Sequence, residues 1–300
     1  MLNRRILRIK VFKVLFACVQ TEGISVKEAL SMLDDACEST RDLYLFLLSI
    51  VTPLTAQARS RIEAARSKFN PTEEDLNPNM KFADNALASL LERDIDFSDL
   101  IAEKNLNWDN CDVLIRNLYD SIVSEKWFKD YMNAPGRSLG EDIELFEHIF
   151  EEKLEDNEDL LPVLEEKSIW WPDECGYALM CCLRSLEDIA KKGRWNYPNL
   201  YAKDEDYTFI KRLLQVTLDK WSVYYDTISA SAKGWDSDRL FLSDMVLIAM
   251  GLAEQEFFPE IPRSVTINEY VELAKYYSTP KSRVFVNGLL DRLIPKKINQ

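Results

Sequence analysis

Every apolar periodicity in this chain is helical. Leu7, Val11, Val14, Leu15 and Cys18 recur at i, i+4, i+7, i+8 and i+11, one face of a 3.6-residue helix. No stretch alternates apolar and polar residues as a half-buried strand would, so the expected fold class is all-α. Three helix starts are marked by capping boxes, Ser25 with Glu28, Ser138 with Glu141 and Thr266 with Glu269. In each, the hydroxyl accepts the amide three residues on while the carboxylate reaches back to the cap. Turn-rich residues 70–80 and the break from Gly193 to Pro198 interrupt the helical pattern. At 300 residues the chain has room for more than one domain. The expected divisions are an N-terminal region 1–80 with a basic first helix, an acidic helical middle 81–197, and a C-terminal bundle 198–300.

Several function classes drop out early. The eight glycines never stand closer than four residues, which excludes both G-x-G-x-x-G and the P-loop pattern. The six cysteines form no C-x-x-C pair and His148 has no second histidine, so neither a zinc cluster nor another metal site is expected. The cysteines sit among apolar residues, as core thiols in a reduced, cytoplasmic compartment do. His148 lies in a glutamate-rich helical segment and reads as a surface residue, not a catalytic base. The longest uncharged run, Leu43 to Ala58, is sixteen residues broken by Pro53, short of the ~20 needed to span a membrane. Lys13 cuts the apolar run at the N-terminus, so no secretory signal is expected. No catalytic residues and no cofactor are expected.

The net charge of −14 is unevenly spread. Residues 1–13 carry Arg4, Arg5, Arg8, Lys10 and Lys13 with no acid, and residues 275–300 carry six cations against Asp291, so each end is +5. The remainder is −24, half of it in residues 141–174, where fourteen acids face only Lys153 and Lys167. Two basic ends therefore flank an acidic body, and a local positive patch binds phosphate while the rest of the surface rejects polyanions.

The middle of the chain reads as repeated. Trp108, Trp171 and Trp235 lie 63 and 64 residues apart, each followed within two residues by an acid (Asp109, Asp173, Asp236) and then by an apolar helix. At the same offset Leu87 matches Phe150, Leu91 matches Leu154 and Phe97 matches Leu160. Each unit is expected as helix, loop, helix, with the tryptophan wedged where the second helix begins. Such units bury their apolar faces by stacking on neighbours.

The C-terminal stretch carries the most chemistry. An amphipathic helix from Ser264 to Lys275 presents Ile267, Val271 and Ala274 inward; Thr279 and Pro280 then suit the N-cap and first position of a last helix. Gly288 inside that helix suggests a close helix–helix approach. Lys281 and Arg283 stand in its first turn, where the macrodipole favours anions, an arrangement suited to an external phosphate. Ser278, Thr279 and Ser282 add hydroxyls. Arg4, Arg5 and Arg8 of the first helix add further cations, and Phe16 and Phe285 are candidate stacking faces for unpaired bases.

Residues 235–293 resemble the NusB family of transcription antitermination factors. The resemblance rests on the runs Trp235 to Leu240 and Asp244 to Ile248, on Glu254 and Pro262, on Ile267-Asn268-Glu269 with Glu272-Leu273-Ala274-Lys275, and on Phe285 to Gly288 with Leu290-Asp291. Arg4, Arg5, Arg8 and the run Val14 to Phe16 are similar to that family's arginine-rich opening helix, with Phe16 at its usual tyrosine. What the resemblance implies is a protein of stacked helical bundles that binds boxA-type RNA together with NusE, a small-subunit ribosomal protein, within the RNA polymerase antitermination complex that supports rRNA transcription. It makes Arg4, Arg5, Arg8, Phe16, Lys281, Arg283 and Phe285 RNA-contact candidates, and Asp244 and Glu254 candidates for the partner protein. Common family members are about half this length, Ala249 stands where the family usually has arginine, and the body is unusually negative. The alternative function is a helical scaffold that binds only protein partners.

Overall fold

The computed structural model describes residues 1–232 and 241–295. Trp235, Asp236 and the rest of the run to Leu240 lie outside the described residues, as do Lys296 and Lys297. The elements are α1 (Arg4–Gln20), α2 (Val26–Leu48), α3 (Val51–Arg66), α4 (Glu73–Leu76), α5 (Ala86–Arg93), α6 (Ile95–Glu103), α7 (Asp112–Ser124), α8 (Lys126–Asn133), α9 (Leu139–Ile149), α10 (Leu160–Lys167), α11 (Cys175–Lys192), α12 (Asp204–Asp219), α13 (Trp221–Ser231), α14 (Leu242–Phe257), α15 (Arg263–Tyr277) and α16 (Ser282–Leu293). The fold is all-α. Among the described residues the one β-type pairing is a parallel bridge between Leu2 and Tyr201.

The chain forms two compact units, residues 1–37 with 200–300, and residues 38–199. This division differs from the one expected from the sequence, which left the first helix in a region of its own ending at residue 80. Long-range pairing of α1 with the C-terminal helices decides the matter, and composition along the chain carries no trace of it.

In the first unit α14 is the centre. From Asp244 to Gly251 every residue is buried, as expected of a helix that is apolar nearly all round. It is lined by α1, α12, α13, α15 and α16. Gly251 marks a close approach, since a Cβ there would lie 2.7 Å from Leu290 Cδ2 and 3.3 Å from Tyr270 Cδ2. The predicted stripe of α1 faces this core, with Leu7, Val11, Val14 and Leu15 wholly buried. Asn3 caps α1, its side-chain oxygen accepting from the amides of Arg5 and Ile6. The chain's first residues are tied down by Leu2 N–H donating to Leu200 O at 2.8 Å.

The second unit is organised around the C-terminal half of α2. Trp108 and Trp171 both stack on Phe46, with ring centroids 4.0 and 5.2 Å away. Trp108 Nε1 donates to Phe46 O and Ser49 Oγ, and Trp171 Nε1 donates to Ser39 O. The helices that follow the two tryptophans, α7 and α11, start 63 residues apart at Asp112 and Cys175. Asp109 does not cap α7; its amide donates to Asn107 Oδ1 while Cys111 occupies the cap position.

Local signals met mixed outcomes. The Ser25 and Ser138 boxes form as written, with reciprocal bonds to Glu28 and Glu141. The Thr266 box does not form. α15 starts three residues earlier, and the Thr266 hydroxyl donates instead to buried Glu254 at 2.7 Å. α16 likewise begins later than Pro280, at Ser282, and Thr279 N–H donates to Ser282 Oγ. α11 ends at the predicted break, where Gly193 takes a left-handed φ of +66°.

Candidate nucleic-acid interface

α1 presents its cations at a helix N-terminus, the end that already carries partial positive charge. Four carboxylates from other helices offset that conflict. Arg4 Nε donates to Asp206 Oδ1 at 2.9 Å and its Nη2 to Glu205 Oε1 at 3.1 Å, both in the first turn of α12. Arg5 chelates Glu269 of α15 through Nε and Nη2 at 2.9 and 2.7 Å. Arg8 chelates Glu254 of α14 in the same bidentate manner at 2.7 and 2.9 Å. The sequence reading saw these arginines as cations and missed their partners, although Glu205 and Asp206 announce themselves as an acidic first turn.

The Glu254 carboxylate is fully saturated. Besides Arg8 it accepts from Thr266 Oγ1 at 2.7 Å and Tyr270 Oη at 3.0 Å. Burial disfavours the Arg8 charge, but the Glu254 hydrogen bond and charge outweigh it and the guanidinium pKa is raised. Burial drives the Tyr270 phenol well above its usual range, reinforced by Glu254. The bond from Arg5 holds the Glu269 carboxyl below its ordinary value against partial burial.

Four predicted contacts need correction. Arg8 is 3% exposed and Glu254 0%, so neither faces RNA or a partner protein; together they tie α1 to α14. Asp244 is buried as well. It accepts from Ser282 Oγ at 2.8 Å at the start of α16, and burial pushes its carboxyl pKa up against the bonds from Ser278 and Ser282. Phe285 is 7% exposed and belongs to the core face of α16, where its ring offers no stacking surface. Acidic and basic side chains are seldom fully buried unless paired, and pairing across 246 positions leaves no local signal.

The remaining candidates are accessible. Arg5 keeps 49% of its side chain exposed despite its partner, Arg4 and Phe16 are partly exposed, and Lys281 and Arg283 are exposed. Among the described residues neither Lys281 nor Arg283 has an ion-pair partner. α15 draws several of these residues together. Arg5 is bound to Glu269, and one turn on, Glu272 has its carboxyl lowered first by a bond from Lys275, then by the charges of Arg283 and Arg5. At the end of α15 the Tyr277 ring meets Phe12 of α1 with centroids 5.2 Å apart, and Phe12 neighbours Phe16 at 6.0 Å. Arg4 is drawn the other way, over the Phe209 ring of α12 at 4.7 Å. Arg283 and Val284 of α16 also line a groove with Ile267, Asn268, Val271 and Glu272 of α15.

Among the described residues no group of three or more His, Cys, Asp or Glu side chains is placed to hold a metal ion, and no helix is long and apolar enough to cross a membrane. None of the six cysteines is in a disulfide.

The model of the NusB family matches residues 184–295, the last turns of α11 and all of α12 to α16. The transcription antitermination protein NusB of Clostridium botulinum (strain Kyoto / Type A2) is 33% identical over 112 residues, 37% of this chain and 77% of that protein. The protein of the same name from Thermodesulfovibrio yellowstonii is 32% identical over 112 residues, 37% of this chain and 73% of its own length. That from Methylacidiphilum infernorum is 34% identical over 100 residues, covering 33% and 68%. No solved structure matches the chain. The matched segment contains the α14–α15–α16 bundle on which α1 is mounted, and through that segment this chain belongs to the NusB family.

Proposed function

We propose that this protein is a transcription antitermination factor that binds boxA-type RNA together with NusE and so supports processive rRNA transcription in the cytoplasm. It acts by binding, without catalysis of its own. The observation that carries the reading is the mounting of arginine-bearing α1 on the family-matched bundle through Arg5 and Glu269. Lys281 and Arg283, exposed and in no ion pair among the described residues, are the phosphate contacts, with Arg5 at their side. Phe16 is the aromatic contact on α1. The relatives in Clostridium botulinum and Thermodesulfovibrio yellowstonii carry the antitermination name, which supports the same role here.

A second reading has its own support. Arg4, Arg5 and Arg8 already have acidic partners, as they would in a scaffold that binds only protein. Gel shift of a labelled boxA-type RNA separates the two. The antitermination reading expects weak retention by the protein alone and tighter retention with NusE. No retention in either lane overturns it in favour of the scaffold.

A further inference from the structure

The most exposed aromatic of α15 and α16 is one the family resemblance does not mark. Tyr276, in the last turn of α15, is 81% exposed, while Leu273 and Ala274 just before it are buried. It follows Lys275 directly in the chain and precedes Lys281 by five positions. Its neighbour Tyr277 is held against Phe12 of α1, with ring centroids 5.2 Å apart, so the backbone that carries Tyr276 is fixed relative to the arginine-bearing helix. Beyond Tyr277 the chain turns extended at Ser278, where hydroxyl bonds to Ser243 and Ser282 tie the corner to α14 and α16. An exposed ring on an anchored backbone loses little freedom when a flat partner settles on it.

We propose that Tyr276 is a stacking platform for an unpaired nucleobase of the bound RNA, a proposal that rests on the RNA-binding reading above. Single-stranded RNA is held by phosphate contacts along the strand and by aromatic faces that receive its unstacked bases. Lys281 and Arg283 supply the first element at this corner. Phe285 does not supply the second, because its ring is buried, whereas Tyr276 turns its ring to solvent. Stacking is indifferent to base identity, so Tyr276 contributes affinity and strand register more than sequence preference.

The test uses the full chain with NusE and a fluorescently labelled boxA-type RNA, titrated over a range of salt. Tyr276→Ala is expected to weaken binding about tenfold, in line with the loss of one base–aromatic stack. Tyr276→Phe is expected to stay within about twofold of wild type on the same ground, and neither variant to change the salt slope, since no phosphate contact is lost. With 2-aminopurine in place of an adenine at the stacked position, wild type quenches its fluorescence and Tyr276→Ala does not. Wild-type binding left unchanged by Tyr276→Ala overturns this proposal alone. Equal losses in the Ala and Phe variants overturn it too, because the hydroxyl would then be the contact. Weaker NusE binding with unaltered RNA binding assigns the ring to the protein partner and likewise overturns it. Failure of wild type to retain any RNA sinks the underlying reading as well.

Discussion

Arg8 and Glu254, 246 residues apart in the chain, are joined by two parallel hydrogen bonds of 2.7 and 2.9 Å in the interior of the first unit. Thr266 and Tyr270 complete the carboxylate's coordination from α15, so one buried anion gathers three helices. The cluster sets where α1 lies, and through α1 it sets where Arg5 emerges.

Removing one member strands the other. Arg8→Met leaves Glu254 buried without its cation, and is expected to cost about 3–5 kcal/mol of stability. The double variant Arg8→Met, Glu254→Gln is expected to lose clearly less than the sum of its single variants. Urea denaturation of the four proteins gives the coupling, and additive losses would show the pair to be independent.

Charge reversal at the α15–α16 corner is expected to separate binding from folding. Lys281→Glu and Arg283→Glu should each weaken RNA binding, while thermal stability changes little at such exposed positions, within about 0.5 kcal/mol. With ~3–5 phosphates engaged, the log–log salt slope for single-stranded RNA is expected near −2 to −3.5, and each variant should lower its magnitude by roughly 0.7. A slope near zero in wild type, or a melting temperature that collapses in the variants, contradicts the phosphate assignment.

Gly251 permits the contact of α14 with α16. In Gly251→Ala the new methyl meets Leu290 Cδ2 at 2.7 Å, so the wholly buried Leu290 side chain must shift. Overpacking costs about 1–3 kcal/mol and helix propensity returns about 1. The expected outcome is a net loss of up to about 2 kcal/mol by chemical denaturation, and a stabilised variant would refute the close approach.

Glu269 gives a pH signature. Its carboxyl is lowered in the folded state by Arg5, so its contribution to stability is present above the unfolded value of about 4.3 and is lost as pH falls through the lower folded value. Wild type is therefore expected to exceed Glu269→Gln in stability from neutral pH down to about 5, with the difference closing below about 4.3. A difference that widens in acid has the wrong sign for this pair.

Much of the local architecture was legible. The α1 stripe, the boxes at Ser25 and Ser138 and the stop at Gly193 depend on residues within a turn or two of each other, and they form as read. The Thr266 box failed because a buried carboxylate twelve positions away competed for the hydroxyl. Phe285 and Arg8 were misread because a helical stripe says which residues share a side, and nothing about what that side meets.

The amino-acid sequence by itself determined the helical class, the contrast of basic ends with an acidic body, and the tryptophan spacing, all properties of residue type and interval. Tertiary structure alone decided which charges remain available. It neutralised Arg8 inside the core, bound Arg4 to α12 and left Lys281 and Arg283 in solvent. The reason is the range of the forces. Helix formation is set over a few residues, whereas an ion pair needs two side chains within about 4 Å, and only folding brings positions more than two hundred apart to that distance.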